Sequence, residues 1–292
     1  MRVTLIHNTG AGDGDASAED IVSRLSELGH STDCFPGKGP KLAEALARPA
    51  DLIAVAGGDG TVNRVLKRLP PSSPPVAILP FGTANNIALS LGICGDWNVL
   101  AEGWRDGAAG RLDIGTVAHA DGVQSVVEGV GTGAVAAAMR RLDNMTGSSK
   151  TQLRRARTAI VRAVRRKKVR SFLFEVDGRR VEVEAIFAEI TNISRIGPKL
   201  NLAPSADLDD GQAELVYALE HQRDAFAEWL ERGGDEGPPP LQCLRGRRIT
   251  IFHANKRLRV DDDLDVSAAA ALPLTLDMGG RKAPILLPPR RA

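Results

Sequence analysis

The first ninety residues alternate between two hydrophobic periods. Val3–His7, Leu52–Ala56 and Val76–Pro80 are short, mostly apolar runs, the pattern of strands covered on both faces. Between them the apolar positions fall at helical spacing: Ile21, Val22, Leu25 and Leu28, then Leu42, Ala45 and Leu46, then Val62, Val65, Leu66 and Leu69. Ser17 and Asp20 have capping-box spacing before the first helix, Gly29 closes it, and Pro40 opens the second. A further helix is predicted over Thr83–Leu91, stopping at Gly92. Strands alternating with helices imply a parallel sheet with helices on both faces, which binds ligands beyond the carboxyl ends of its strands.

Past about residue 110 the texture changes. Segments 111–117, 123–130, 170–177, 180–191, 213–219, 247–253 and 256–261 read as strands, with a hairpin signal at Asp177-Gly178. This half is predicted to be an antiparallel β-sandwich, interrupted by a helical stretch over 134–168. The expected division is an α/β domain over 1–118, completed by 272–292, and a β-rich domain over 119–271.

Composition narrows the function classes. Of 292 residues, 43% are apolar, ample for two cores, and 38 basic against 36 acidic side chains leave a net charge of only +2. With 4% aromatics, nucleic acid is not the expected partner. Cys34, Cys94 and Cys243 form no CxxC pair, so neither a disulfide framework nor a zinc site is expected. No leader-like segment and no apolar run near ~20 residues is found, which points to the cytoplasm.

The chemistry concentrates at Gly57-Gly58-Asp59-Gly60-Thr61-Val62-Asn63, where a predicted strand meets a helix. Glycines let main-chain N–H groups approach phosphate oxygens, and the helix N-terminus adds partial positive charge. A Walker lysine is absent. A carboxylate inside such a loop, Asp59, must hold magnesium or handle a proton. Two more small polar loops follow strands: Asn8-Thr9-Gly10-Ala11-Gly12 and Pro80-Phe81-Gly82-Thr83-Ala84-Asn85-Asn86. Three such strand ends indicate a nucleotide site.

GGDGTVN followed by PFGTANN resembles the diacylglycerol kinase catalytic-domain family, which includes bacterial soluble lipid kinases and sphingosine kinases. Arg111-Leu112-Asp113-Ile114-Gly115, Ala203-Pro204 through Leu208-Asp209-Asp210-Gly211, and Val260-Asp261-Asp262-Asp263 match later family elements in order. The resemblance implies an NAD kinase/diacylglycerol kinase-like fold and ATP-dependent phosphorylation of a lipid hydroxyl with Mg²⁺. It implies nucleotide contacts from Asn8, Thr9, Gly10, Ala11, Gly12, Gly57, Gly58, Asp59, Gly60, Thr61, Val62, Asn63, Arg64, Gly82, Thr83 and Asn86. It implies a magnesium site at Asp207, Asp210 and Gln212, and Asp59, Asp261 or Asp263 as the proton acceptor. Departures from the family pattern are Thr9 for proline, Ala11 for serine, Asn86 for aspartate, Asp262 for glycine and Asp263 for glutamate. They keep open a catalytically weakened nucleotide- or lipid-binding regulator, and the glycine loop alone also suits an NAD-kinase-like enzyme. Sphingosine kinases carry an acid after the glycines that correspond to GVGTG, which is missing here and favours diacylglycerol or another amine-free lipid.

Between Met139 and Arg170 there are twelve Lys/Arg and one acid, Asp143. Ala159, Ile160, Ala163 and Val164 recur at helical spacing within this run, the pattern of a basic amphipathic helix for an anionic membrane surface. The expected state is a peripheral, transiently membrane-associated protein, with a homodimer left open.

Overall fold

The computed structural model describes residues 1–8, 16–120, 122–139, 148–253, 257–261, 263–267 and 272–289. The chain divides into two compact units: Met1–Leu112 with Arg281–Ala292, and Asp113–Gly280.

In the first unit β1 (Arg2–His7), α1 (Ala18–Glu27), β2 (Ser31–Pro36), α2 (Lys41–Ala47), β3 (Leu52–Gly57), α3 (Asp59–Arg68), β4 (Val76–Pro80), α4 (Asn86–Ser90) and α5 (Trp97–Glu102) follow in order. Strands β2, β1, β3 and β4 lie side by side, all parallel. Apart from the polar edge strand β2 they are buried almost throughout. Their uninterrupted apolar runs are thus explained by cover on both faces. The α1 capping box forms as expected, with Ser17 and Asp20 exchanging hydrogen bonds. Strand β2 escapes the hydrophobic pattern because it is an exposed edge of Ser, Thr, Asp and Cys.

Strand β5 (Ala108–His119) carries the chain into the second unit. There follow β6 (Gly122–Val126), β7 (Gly129–Gly133), α6 (Ala134–Met139), α7 (Ser149–Arg166), β8 (Arg170–Val176), β9 (Arg179–Thr191), β10 (Arg195–Ile196), β11 (Leu200–Asn201) and β12 (Ala213–Leu219). After these come α8 (Arg223–Glu231), β13 (Gln242–Gly246), β14 (Arg248–His253), β15 (Arg257–Val260), β16 (Asp263–Ser267) and β17 (Leu274–Leu287). Within this unit β9 pairs antiparallel with β7, β8 and β12, β14 with β8 and β17, β12 with β13, β15 with β7 and β16, and β5 with β6. One core joins Val117, Phe172, Phe174, Leu215, Ile249 and Leu276 inside the sandwich. A second packs α6, α7 and α8 against Phe187, Val216 and Ala218.

Strand β17 begins in the second unit and, from Arg281, belongs to the first, where Ile285 pairs parallel with Val76. Arg281 donates to the carbonyls of Leu66, Lys67 and Leu69 at 2.8, 2.6 and 2.5 Å. These carbonyls end α3 and have no partner within the helix, so the guanidinium caps it.

Three local expectations change. The helix expected over Thr83–Leu91 is only Asn86–Ser90, because Asn85 is left-handed (φ 55°, ψ 42°) and the residues before it form a turn. The strand expected over 123–130 breaks at Val127–Glu128, and β7 continues beyond it to Gly133. The helical stretch over 134–168 is α6 and α7, with 140–147 outside the described residues.

Candidate functional site

In the first unit the site is built from strand ends. Gly58 precedes α3 in an extended conformation, and its carbonyl accepts from Thr61 and Val62 N–H. The N–H groups of Asp59 and Gly60 belong to the first turn of α3. Gly58 and Gly82 touch backbone to backbone. A Cβ on Gly82 would lie 2.3 Å from Gly58 Cα, and one on Gly58 would lie 2.8 Å from Gly82 Cα. The glycines after β3 and β4 therefore exist to let two loops meet. Replacing Gly82 with Ala sets a methyl against main chain that cannot swing aside. We expect a loss of about 1–3 kcal/mol, read as a lower melting temperature with an unchanged far-UV spectrum.

Side chains lock this junction. Asn85 Oδ1 accepts from Gly82 N–H at 2.8 Å, and its Nδ2 donates to the Pro80 and Gly82 carbonyls at 3.1 and 2.8 Å. Asp59 Oδ1 accepts from Ile87 N–H at 2.9 Å, tying the start of α3 to that of α4. Arg64 donates to the Gly37 carbonyl at 2.8 Å. Gly58, Asp59, Gly60, Arg64, Gly82 and Thr83 are partly exposed, whereas Gly57, Thr61, Val62, Asn63 and Asn86 are buried. The Nδ2 of Asn63 has no hydrogen-bond partner among the described residues. Asn8 follows β1 and donates its N–H to Ala56. Thr9, Gly10, Ala11 and Gly12 lie outside the described residues. Asn85 is absent from the expected contacts. Its signal is conformational, since asparagine is among the few residues that accept the left-handed region.

The second unit gathers the later motifs in two places. Asp113, fully buried, accepts from Gly211 N–H at 2.7 Å and donates its own N–H to the Leu208 carbonyl at 2.8 Å. It thereby clamps the Leu208–Gly211 turn. On that turn Asp207 accepts from Asp209 N–H, and Asp210 accepts from Gln212 N–H and pairs with Arg245. Arg245 Nε also lies 3.5 Å from Glu214. Burial, with the Asp207 charge adding to it, pushes the Glu214 carboxyl up to about 7. Asp207, Asp210 and nearby carbonyls are hard oxygen donors, so the donor chemistry suits magnesium. Among the described residues no group of three acidic, His or Cys side chains is placed to hold a metal. A cation there would lean on main-chain oxygens and water and share Asp210 with Arg245.

The other place surrounds Asp261. Its carboxylate accepts from the N–H groups of Val127, Glu128 and Gly129 at 3.0, 2.8 and 2.9 Å. The residue is left-handed (φ 48°) and buried. Arg259 donates to its carbonyl at 3.0 Å and pairs with Glu189 at 3.1 Å, both side chains being fully buried. Burial alone lowers the Arg259 pKa, but the charges of Glu189, Glu128 and Asp261 outweigh it. Gly131 makes room for this pair, since a Cβ there would fall 1.8 Å from Glu189 Oε1. Asp262 and the side chain of Asp263 lie outside the described structure. The buried carboxylate of Glu189 and its arginine are legible in the sequence only as a lone acid in the apolar half of a strand.

A parallel α/β unit joined to an antiparallel sandwich defines a class, and comparison with known proteins agrees. Residues 2–117 match the diacylglycerol kinase catalytic domain, and residues 128–285 match the YegS C-terminal NAD kinase beta sandwich-like domain. A diacylglycerol kinase of Bacillus subtilis (strain 168) is 30% identical over 257 residues, covering 86% of this chain and 79% of its own. A diacylglycerol kinase of Mycobacterium tuberculosis (strain H37Rv) is 25% identical over 241 residues, covering 76% and 74%. A diacylglycerol kinase structure from Bacillus anthracis str. Sterne superimposes with a TM-score of 0.71 at 18% identity, over 99% of this chain and 97% of its own. The chain belongs to the diacylglycerol kinase catalytic-domain family.

Proposed function

We propose that this protein is an ATP-dependent lipid kinase that transfers the γ-phosphate of ATP to the hydroxyl of diacylglycerol or a similar amine-free lipid. The observation that carries the reading is the contact between Gly58 and Gly82. It brings two phosphate-type loops together at the carboxyl ends of β3 and β4, with the carboxylate of Asp59 at the same junction. The N–H groups that open α3 are suited to phosphate oxygens, as is the guanidinium of Arg64. Magnesium, when bound with the nucleotide, neutralises phosphate charge.

In the proposed step the lipid oxygen attacks the γ-phosphorus, the bond to the bridging oxygen breaks, and ADP leaves. Asp59 accepts the hydroxyl proton. Asp59 is preferred over Asp261, whose carboxylate already holds three main-chain N–H groups and organises the 127–129 bend. Asp261 is thus a positioning residue. Diacylglycerol is preferred over an amine-bearing lipid because Gly129–Gly133 carries no acid. The basic helix α7, whose eighteen residues include no acid, would bring the enzyme to an anionic membrane.

The test is transfer of labelled γ-phosphate to diacylglycerol, monoacylglycerol and sphingosine in mixed micelles, with NAD as a soluble acceptor. Labelled diacylglycerol is expected. Labelled NAD alone, or ATP bound without transfer to any lipid, would refute the assignment.

A further inference from the structure

The loops after β1, β3 and β4 make up the nucleotide site proposed above, and the loop after the edge strand β2 packs against two of them. Gly37, the first residue past β2, is buried. Its N–H donates to the His7 carbonyl at 2.9 Å, and its carbonyl accepts from Arg64 at 2.8 Å. A Cβ on Gly37 would lie 2.8 Å from Thr61 Cγ2 and 3.6 Å from Asn8 Cβ. The backbone here therefore runs directly against the end of β1 and the first turn of α3. Gly39 is left-handed (φ 80°), a conformation that suits glycine, and Pro40 leads into α2. Between the two glycines stands Lys38, exposed, its Cα one peptide unit or about 3.8 Å from that of Gly37.

The charge balance of the site calls for a cation in this place. Among the nucleotide contacts expected from the sequence, Asp59 is the one acid and Arg64 the one base, so they cancel. A triphosphate stays negative even with magnesium bound. The Walker lysine that meets β- and γ-phosphates in other nucleotide sites is absent. Arg64 is already engaged with the Gly37 carbonyl. Among the described residues Lys38 has no ion-pair partner, whereas Arg48, which also reaches β2, is matched by Asp33. We propose that Lys38 binds the polyphosphate of the nucleotide, supplying from the loop after β2 the charge that a Walker lysine supplies elsewhere. An ammonium on a flexible stem is a point charge and needs no fixed fork geometry to hold phosphate oxygens. The inference rests on the ATP-dependent reading above and adds a fourth strand end to that site.

The experiment is equilibrium binding of ATP and of adenosine to the full chain, with magnesium and without lipid, at low and at high salt. Lys38→Met keeps most of the stem and loses the charge. It is compared with Lys38→Arg and with Lys41→Met, which removes a second exposed lysine three residues on. Lys38 is exposed, so its replacement leaves the core untouched. Lys38→Met is expected to weaken ATP binding about tenfold at low salt, the scale of one charge-assisted hydrogen bond. The deficit should shrink to about threefold near ~1 M salt, where charges are screened within a few ångströms. Lys38→Arg should stay within about threefold of wild type, since it keeps the charge. Lys41→Met should stay within about twofold, as a charge acting only through solvent. Adenosine, which has no phosphate, should bind all four proteins alike. An equal loss in Lys41→Met would reduce the loop to a diffuse basic surface and overturn the assignment. So would unchanged ATP binding by Lys38→Met, or a loss for adenosine as large as that for ATP. A wild type that binds no ATP would overturn the ATP-dependent reading and the role of Lys38 with it. A wild type that binds ATP beside an indifferent Lys38→Met would overturn the role of Lys38 alone.

Discussion

Asp59→Asn will cost phosphoryl transfer about a hundredfold to ten-thousandfold while leaving ATP binding within a fewfold of wild type. The substitution is chosen for what it preserves. Asp59 Oδ1 accepts from Ile87 N–H at 2.9 Å, and an asparagine oxygen can do the same. The junction between α3 and α4 therefore stays closed, and the glycine contact beneath it is untouched. What disappears is the group proposed to take the lipid proton, and general-base removal typically costs that range. Turnover and equilibrium nucleotide binding, measured on the same preparation, separate the outcomes. Parallel loss of both would make Asp59 a structural or phosphate-site residue. Undiminished transfer would return the base role to the Asp261–Asp263 segment.

Glu189→Leu will lower the stability of the protein by about 3–5 kcal/mol, read as a shift in the denaturation midpoint. Arg259 is 1% exposed and Glu189 fully buried, so removal of the carboxylate strands a positive charge with no route to water. Burial pushes the Glu189 carboxyl up, and Arg259 opposes this. Replacing both members by apolar residues usually recovers much of such a loss. Glu189→Leu/Arg259→Met should recover only part of it, because Arg259 also answers the charges of Glu128 and Asp261 and holds the Asp261 carbonyl. Full recovery by the double variant would mean that Arg259 serves Glu189 alone. A single variant as stable as wild type would mean that the pair is dispensable.

The elements most legible in the sequence are those whose burial is symmetrical. Strands β1, β3 and β4 announce themselves because both faces are covered, and α1 because its cap and its apolar stripe agree. Edge strand β2 and the short helix α8 do not, since the first is mostly exposed and the second is half the length of α7. The glycine loops could be recognised because glycine is required where two backbones meet. The partners that hold them were harder to see. Asn85 acts through its backbone conformation, and Glu189 with Arg259 acts across separate strands, which no local spacing reveals. Asp261 was legible as an acid in a family-like position, but its three main-chain donors come from residues more than 130 positions earlier.

The path of β17 has a consequence for biosynthesis. Arg281 caps α3, and Leu286 packs with the core that contains Leu5 and Leu79. As the ribosome delivers the chain from its amino end, the first unit must wait, unfinished, until all of Asp113–Gly280 has been made. The sandwich can close first, and the α/β unit is completed only once the chain from Arg281 onward has emerged. A nonsense codon just before Arg281 would therefore damage the unit built from Met1–Leu112, and a recombinant first unit needs residues 281–289 spliced back by a linker.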